Sequence, residues 1–369
     1  MTRVRDVFAT RMGIIIVGLV LGGIAASLQK LGNPENMGVC VACFTRDVAG
    51  ALGLHRAGIV QYLRPEIPAF CLGAFAAALV FGEFRPRTGS APIQRFLLGM
   101  FAIIGALVFL GCPWRAMLRL AGGDWNAILG IIGLVAGIAV GVWFLRIGFS
   151  LGRSHPARLP VGLATPLVMV VLLLLAIFSF QAGEGAALFR SKSGPGAQAA
   201  PIIVSIAAGL IIGFLAQRTR FCTVGGIRDV ILMRDTHLLS GLLAFLIAAF
   251  VMNLIYGQFH PGFMRTAADG AAVSQPAAHT EHWLNFGGMA LAGLSFCLAG
   301  GCPGRQIFLS GEGDGDAAMF FFGMLTGAAL AHNFLMVGTQ PLAPWAVILG
   351  LIIVFIIGLT GRSRPALAR

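Results

Sequence analysis

Gly111-Cys112-Pro113-Trp114-Arg115 closes a long apolar run, and Gly301-Cys302-Pro303-Gly304-Arg305 closes another in the second half of the chain. Proline suits the first position of a helix, because the N–H that it lacks would have no partner there. The cysteine before it then occupies the N-cap. The motif therefore predicts, twice, that a helix breaks and that a new short helix begins at a cysteine.

The composition around these motifs indicates a membrane protein. Of 369 residues, 57% are hydrophobic and 11% are charged, whereas soluble domains carry about a quarter charged residues. Ten apolar runs are each long enough to cross about 30 Å of hydrocarbon as a helix. These runs cover residues 12–30, 66–84, 93–110, 126–148, 161–181, 201–217, 238–258, 284–300, 317–337 and 343–361.

The distribution of the basic residues behind the formal net charge of +12 indicates how the chain is oriented in the membrane. With ten spans, both ends of the chain lie on one side of the membrane, and 17 of the 26 lysines and arginines fall on that side. The positive-inside rule then predicts that both termini are cytoplasmic. Because the basic residues are distributed in this way, we expect no nucleic-acid partner.

The two motifs belong to an internal repeat. An offset of 190 residues superimposes one Gly-Cys-Pro-x-Arg on the other, and an offset of 182 superimposes a second set. That set pairs Cys222 with Cys40, Arg228 with Arg46, Asp229 with Asp47 and His237 with His55. We expect a first repeat at 1–190, a linker at 191–200 and a second repeat at 201–369.

The number of spans in each repeat predicts how the repeats are oriented. Five spans is an odd number, so the second repeat is inserted upside down relative to the first. The predicted fold is an all-α integral membrane protein with about ten transmembrane helices in two inverted five-span repeats. Each repeat contains two short re-entrant half-helices, an arrangement found in many secondary transporters.

The repeated cysteines and arginines are the candidate site. A helix N-terminus presents unpaired N–H groups and the positive end of its dipole, which favour an anion. A charge within a membrane-embedded segment usually pairs or lines a path. The candidate substrate-binding residues are Cys40, Cys112, Cys222, Cys302, Arg46, Arg115, Arg228 and Arg305. The structural alternatives are a glycine–proline helix start with an incidental cysteine, and arginines that only reach towards the membrane surface.

Other chemistry has little support in the sequence. We find no phosphate-binding loop, no paired catalytic carboxylates and no serine–histidine–aspartate arrangement. Cys40 and Cys43 have the spacing of a redox or metal pair, but no second pair with ligand histidines accompanies them. We therefore expect no metal, no cofactor and no enzymatic activity.

Five strings carry a resemblance to a known family. They are Met37-Gly38-Val39-Cys40-Val41-Ala42-Cys43-Phe44-Thr45-Arg46-Asp47, Tyr62-Leu63-Arg64-Pro65-Glu66-Ile67, Gly111-Cys112-Pro113-Trp114-Arg115, Gln217-Arg218-Thr219-Arg220-Phe221-Cys222 and Gly300-Gly301-Cys302-Pro303. With these strings the chain resembles the YeeE/YedE family of bacterial inner-membrane transporters of sulfur compounds. The likeness is greatest to the YedE-type subgroup that is associated with selenium.

The resemblance implies an hourglass-like protein whose central cysteines pass thiosulfate or a related ion along. That role applies to Cys112, Cys302 and Cys222 by their motifs, and to Cys40 through the internal repeat. We therefore expect an inner-membrane permease that moves a small sulfur- or selenium-containing ion into the cell through a waist of cysteines and helix N-termini. A soluble sulfur or selenium carrier protein is a possible cytoplasmic partner. The alternative is a membrane thiol sulfurtransferase or redox protein that uses Cys40 and Cys43.

Overall fold

The computed structural model describes residues 7–182, 188–266 and 271–361. Within these ranges the protein is helical, apart from two small antiparallel ribbons and one 3-10 turn at Pro195–Ala197. The ribbons pair β1 (Arg87–Thr88) with β2 (His155–Pro156), and β3 (Met264–Thr266) with β4 (Ala272–Ser274). Five of the 17 basic residues assigned to the cytoplasmic side lie outside the described residues. They are the arginines at positions 3, 5, 362, 364 and 369.

The described residues form long helices interrupted by short ones. The long helices are α1 (Arg11–Lys30), α3 (Glu66–Val80), α4 (Pro92–Val108), α6 (Asn126–Arg146), α7 (Leu159–Ala182), α8 (Ile202–Thr219), α10 (His237–Ile255), α11 (His282–Ala299), α13 (Gly315–Asn333) and α14 (Ala343–Thr360). The short helices are α2 (Val41–Ala51), α5 (Pro113–Ala121), α9 (Thr223–Met233) and α12 (Pro303–Gly311). The all-α prediction is confirmed for this part of the chain.

Eight segments of the described chain are long and apolar enough to cross a membrane. Three of them join a long helix to the short helix that follows it: α4 with α5, α8 with α9, and α11 with α12. Helix α3 has only 15 residues, and α13 is not among the eight. The expected count of ten spans therefore stays a prediction.

The breaks before three of the short helices share one backbone feature. Leu110, Arg220 and Gly300 have φ angles of 66°, 57° and 88°, which lie in the left-handed region. One left-handed residue ends an α-helix and redirects the chain. Helices α5 and α12 then begin at Pro113 and Pro303, with Cys112 and Cys302 as N-caps. The helix starts predicted from the repeated motif are confirmed.

The long helices pack in exchanged pairs between the two halves of the chain. Helix α1 packs against α10 and α3 against α8, while α4 packs against α13 and α6 against α11. The first long helix of each half thus contacts the second of the other half, and the third contacts the fourth.

The short helices follow the same rule of exchange. Helix α2 packs on α13 and α5 packs on α10, whereas α9 packs on α6 and α12 packs on α3. Each short helix is therefore held by a long helix from the other half.

Backbones approach closely at these exchanged pairs, as the reciprocal contacts of Gly73 and Gly213 show. A Cβ atom on Gly73 in α3 would lie 2.2 Å from the carbonyl oxygen of Leu210 in α8. A Cβ atom on Gly213 in α8 would lie 2.1 Å from the carbonyl oxygen of Phe70 in α3. Small residues allow membrane helices to approach in this way.

We predict that Gly73→Ala lowers the melting temperature of the detergent-purified protein by several degrees. The new methyl group overlaps a backbone atom that cannot swing aside, and such overpacking costs about 1–3 kcal/mol. Gly23→Ala is the matched control, because its Cβ would meet no atom within 4 Å. An equal effect of both substitutions on the melting temperature would contradict the close α3–α8 contact.

Candidate functional site

Cys40 and Cys112 form a buried thiol pair at the starts of α2 and α5. Their sulfur atoms are 3.7 Å apart, and the Cys40 thiol donates to the Cys112 sulfur. Both residues are at most 1% exposed. Since each is the N-cap of its helix, two helix N-termini meet at this pair.

The two cysteines of this pair differ in whether they cap their own helix. The Cys40 sulfur accepts the backbone N–H of Cys43 at 3.4 Å, as a serine hydroxyl would in a capped helix. Cys112 makes no such capping bond. The thiol of Cys43 lies beside the pair and donates to the carbonyl oxygen of Leu110 at 3.6 Å.

Cys222 and Cys302 form the corresponding pair at the starts of α9 and α12. The backbone N–H of Cys302 donates to the Cys222 sulfur at 3.4 Å, and that of Gly225 donates to the same sulfur at 3.2 Å. Both cysteines are buried. As in the first pair, one sulfur caps its own helix and the other does not.

Arg115 lies beside the first cysteine pair and bonds mainly to backbone carbonyls. It is fully buried, and its guanidinium donates to the carbonyl oxygens of Asn36, Leu110, Pro276 and Ala277. It also approaches the Cys43 sulfur at 3.7 Å. Among the described residues, Arg115 has no carboxylate partner, so its charge is not neutralised by an ion pair.

Arg119, one turn after Arg115, also stabilises the break at the end of α4. It donates to the carbonyl oxygen of Phe109 at 2.8 Å, and His279 Nε2 contacts that of Val108 at 2.8 Å. Broken helices leave their last carbonyls without partners, and positive side chains are favoured at that end. Sequence reasoning missed Arg119, although its four-residue spacing from Arg115 places both on one face of α5.

Arg305, the counterpart of Arg115, is paired with a carboxylate. Its Nη1 lies 3.2 Å from Glu312 Oε1 at the end of α12. Arg87 and Arg220 approach the other oxygen of Glu312 at 3.6 Å and 3.5 Å. The two Gly-Cys-Pro-x-Arg segments thus differ in their electrostatic surroundings despite their shared sequence. No sequence motif indicated a role for this carboxylate.

Glu83 extends the same network outside the helices. Burial raises the pKa of its carboxyl, but hydrogen bonds from Gln217 and Arg218 outweigh burial and hold the pKa below its usual value. Arg218 pairs with Glu83 at 2.9 Å, and Arg220 does so at 3.4 Å. The carboxylate therefore stays ionised at neutral pH.

Arg46 and Arg228 each bind the aspartate that follows them in sequence. Arg46 lies 2.6 Å from Asp47, and Arg228 lies 2.8 Å from Asp229. Each aspartate therefore holds the arginine that precedes it. Asp47 also binds Arg64 at 2.8 Å, and all three residues of this cluster are at most 3% exposed. Arg64 was quoted in a motif but not assigned to the site.

Five aromatic residues, called here the aromatic block, pack beside the cysteine pairs. Trp114 is the central one, with ring centroids 5.8–6.4 Å from those of the other four. The others are Phe70, Phe221, Phe245 and Phe308, and all five are buried. No periodicity in the sequence indicated that these residues meet, because they come from four separate helices and a helix break.

Comparison with known proteins identifies one family match and two partial relatives. The family described as Sulphur transport matches residues 218–359, a range that contains Cys222 and Cys302. The chain is 30% identical over 115 residues to the thiosulfate transporter TsuA of Escherichia coli (strain K12), covering 30% of this chain and 29% of that protein. It is 38% identical over 82 residues to the fluoride-specific ion channel FluC 2 of Parasynechococcus marenigrum (strain WH8102), covering 22% of this chain and 57% of the channel. The chain thus matches less than a third of the length of the thiosulfate transporter.

We predict that mild oxidation joins Cys40 to Cys112. Sulfur atoms 3.7 Å apart need only a small shift to reach the disulfide bond length of about 2.05 Å. Mass spectrometry of non-reduced tryptic peptides should detect this link, while Cys71 and Cys297 remain free thiols. A link that joins Cys40 to Cys43 instead would contradict the arrangement.

Asp47→Asn is expected to destabilise the protein far more than Asp229→Asn. Loss of the Asp47 charge leaves two buried arginines without a carboxylate, and breaking a buried pair costs about 3–5 kcal/mol. Asp229 holds one arginine whose side chain is 27% exposed, so its loss is largely compensated by water. Thermal unfolding of the two purified variants should show the difference, and equal melting temperatures would refute it.

Proposed function

We propose that this chain is a member of the YeeE/YedE sulfur transport family and a permease for a small sulfur-containing anion. Thiosulfate or a close relative is the preferred cargo, and a selenium oxyanion is the other candidate. The chain is a multi-pass membrane protein. We place it in the bacterial inner membrane with both termini in the cytoplasm, so that transport runs into the cell.

The observation that carries the proposal is the pair of buried cysteine sites, each at two meeting helix N-termini. Helix N-termini bind anions without further charge, and thiols offer weak S–H donors to a soft sulfur atom. Several weak sites suit passage better than one tight site, because the ion must also leave. In this scheme the anion contacts Cys40 and Cys112 first, and then Cys222 and Cys302.

The arginines support an anionic cargo. Arg115 lies beside Cys43 and has no carboxylate partner among the described residues. Arg46 and Arg64 share a single carboxylate, that of Asp47, so this cluster of three charged side chains has a net positive charge. Fields of this kind raise the local concentration of anions and the rate at which they associate.

The exchanged packing supports the inverted-repeat topology that the proposal needs. A two-fold relation between the halves accounts for the four exchanged pairs of long helices and for the four short-helix contacts described above. Transporters with such repeats place their substrate where broken helices meet. Under this topology the Cys40–Cys112 pair faces outwards and the Cys222–Cys302 pair faces the cytoplasm.

We predict that Cys112→Ala and Cys302→Ala each reduce uptake of ³⁵S-thiosulfate into proteoliposomes by at least tenfold. Each substitution removes one of the sulfur contacts along the path and leaves the helix start in place. Cys71→Ala and Cys297→Ala are the controls, because those thiols lie within apolar helices away from the helix N-termini. Undiminished uptake in both test variants would exclude a cysteine path. Inhibition of this uptake by unlabelled selenite, sulfate and fluoride then shows which of these anions the protein also binds.

A sulfurtransferase that uses Cys40 and Cys43 is distinguished by its products. A Cys40 thiolate would attack the outer sulfur of thiosulfate, sulfite would leave with the electrons of the broken S–S bond, and a persulfide would remain on Cys40. Detergent-solubilised protein would then release sulfite and gain the mass of one sulfur atom. Flux into sealed vesicles without sulfite release favours the permease.

A further inference from the structure

The aromatic block contacts residues next to both cysteine pairs. Trp114 lies two residues after Cys112, and its ring packs 5.8 Å from the ring of Phe221, the neighbour of Cys222. It also lies against Gly304, two residues after Cys302, where an added Cβ would be 3.3 Å from Trp114 Cζ2. One indole ring thus reaches from the start of α5 to residues beside both cysteines of the other pair.

The two repeated motifs differ at the position that matters for this contact. The variable residue of Gly-Cys-Pro-x-Arg is Trp114 in the first copy and Gly304 in the second. The large side chain of one copy fills the space that the other leaves open. Trp114 also packs on Phe245 and Phe308, with centroids 6.0 Å and 6.1 Å away. The contacts of Trp114 with the second half of the chain are therefore apolar.

One polar atom lies within this apolar contact. The indole Nε1 of Trp114 is buried and has no hydrogen-bond partner among the described residues. Native structures leave few buried N–H groups without a partner, and a retained one calls for an explanation. The phenylalanine rings around it offer no lone pair. An oxygen atom of an anion passing between the cysteine pairs would be an acceptor for this N–H.

We propose that the Trp114 ring closes the ion path of the resting permease and that its indole N–H donates a hydrogen bond to an oxygen of the passing anion. This inference rests on the proposed transport function. At rest the ring closes the path, because an apolar constriction excludes hydrated ions. When an anion moves from Cys112 towards Cys302, the ring turns aside and its N–H donates to an oxygen of the anion. The cysteines contact the sulfur end. The site thus selects an anion that carries both sulfur and oxygen, which distinguishes thiosulfate from chloride or fluoride.

The test compares three variants in proteoliposomes. Trp114→Phe keeps a ring in the block but removes the donor, so we expect the KM for thiosulfate to rise about tenfold, equivalent to about 1.4 kcal/mol. Trp114→Ala removes the closure, so we expect a chloride leak several times that of the unaltered protein. Trp345→Phe is the matched control, since Trp345 is 66% exposed on the outer surface of α14, and it should change neither quantity.

Two outcomes overturn the inference. An unchanged KM in Trp114→Phe, even with a lowered melting temperature, would make the N–H a packing feature, and a chloride-tight Trp114→Ala would show that the ring is not the barrier. Failure of the proposed function appears differently, as an unaltered protein that carries no thiosulfate; the chloride leak of Trp114→Ala still tests the gate in that case.

A binding measurement provides an independent check should Trp114→Phe not fold. The protein contains five tryptophans, and ¹⁵N-labelled indole resolves their N–H signals by NMR. Thiosulfate should shift the signal that persists in each of the variants Trp125→Phe, Trp143→Phe, Trp283→Phe and Trp345→Phe. If that signal does not move at saturating thiosulfate, the indole does not contact the anion.

Discussion

A helix broken inside an apolar environment must satisfy the backbone groups exposed by the break, and the rest of this structure depends on how that is done. Lipid supplies no hydrogen bonds, so the protein has to provide them. At the end of α4, three consecutive carbonyls receive donors from His279, Arg119 and Arg115. At the starts of α2 and α9, sulfur atoms of Cys40 and Cys222 accept backbone N–H groups. The carbonyl ends are occupied by protein, whereas the N–H ends beside Cys112 and Cys302 have no side-chain cap.

The shared motif performs different electrostatic tasks in its two settings. Arg115 bonds to carbonyls and has no carboxylate partner in the described part of the chain, while Arg305 is one of several arginines around Glu312. The carboxylate belongs to the second copy, where Glu312 follows α12, whereas the first copy has Gly122 after α5. The repeat therefore places an arginine at the same position in both copies. The residues around each arginine determine whether its charge is available to an anion.

Much of the local structure could be predicted from sequence, because it is encoded by single residues with one physical role. Pro113 and Pro303 start helices, cysteines cap them, and Arg46 and Arg228 bind the adjacent aspartates. Contacts between distant segments could not be predicted. Arg64 reaches Asp47 across a loop, and Trp114 meets Gly304 across the two halves. Periodicity indicates which face of a helix is buried, but it does not identify the partner, and apolarity around the whole circumference removes even that information.

The exchanged pairing of helices has a consequence for how the chain is made. Helix α1 packs on α10 and α3 packs on α8, so their partners are synthesised more than a hundred residues later. During synthesis the first half meets lipid with its glycine-lined faces uncovered, and these faces are closed only when the second half arrives. The main packing partner of each of these helices lies in the opposite half. The two halves therefore fold as one cooperative unit. A destabilising substitution in a helix of the second half also destabilises the helix of the first half that packs against it.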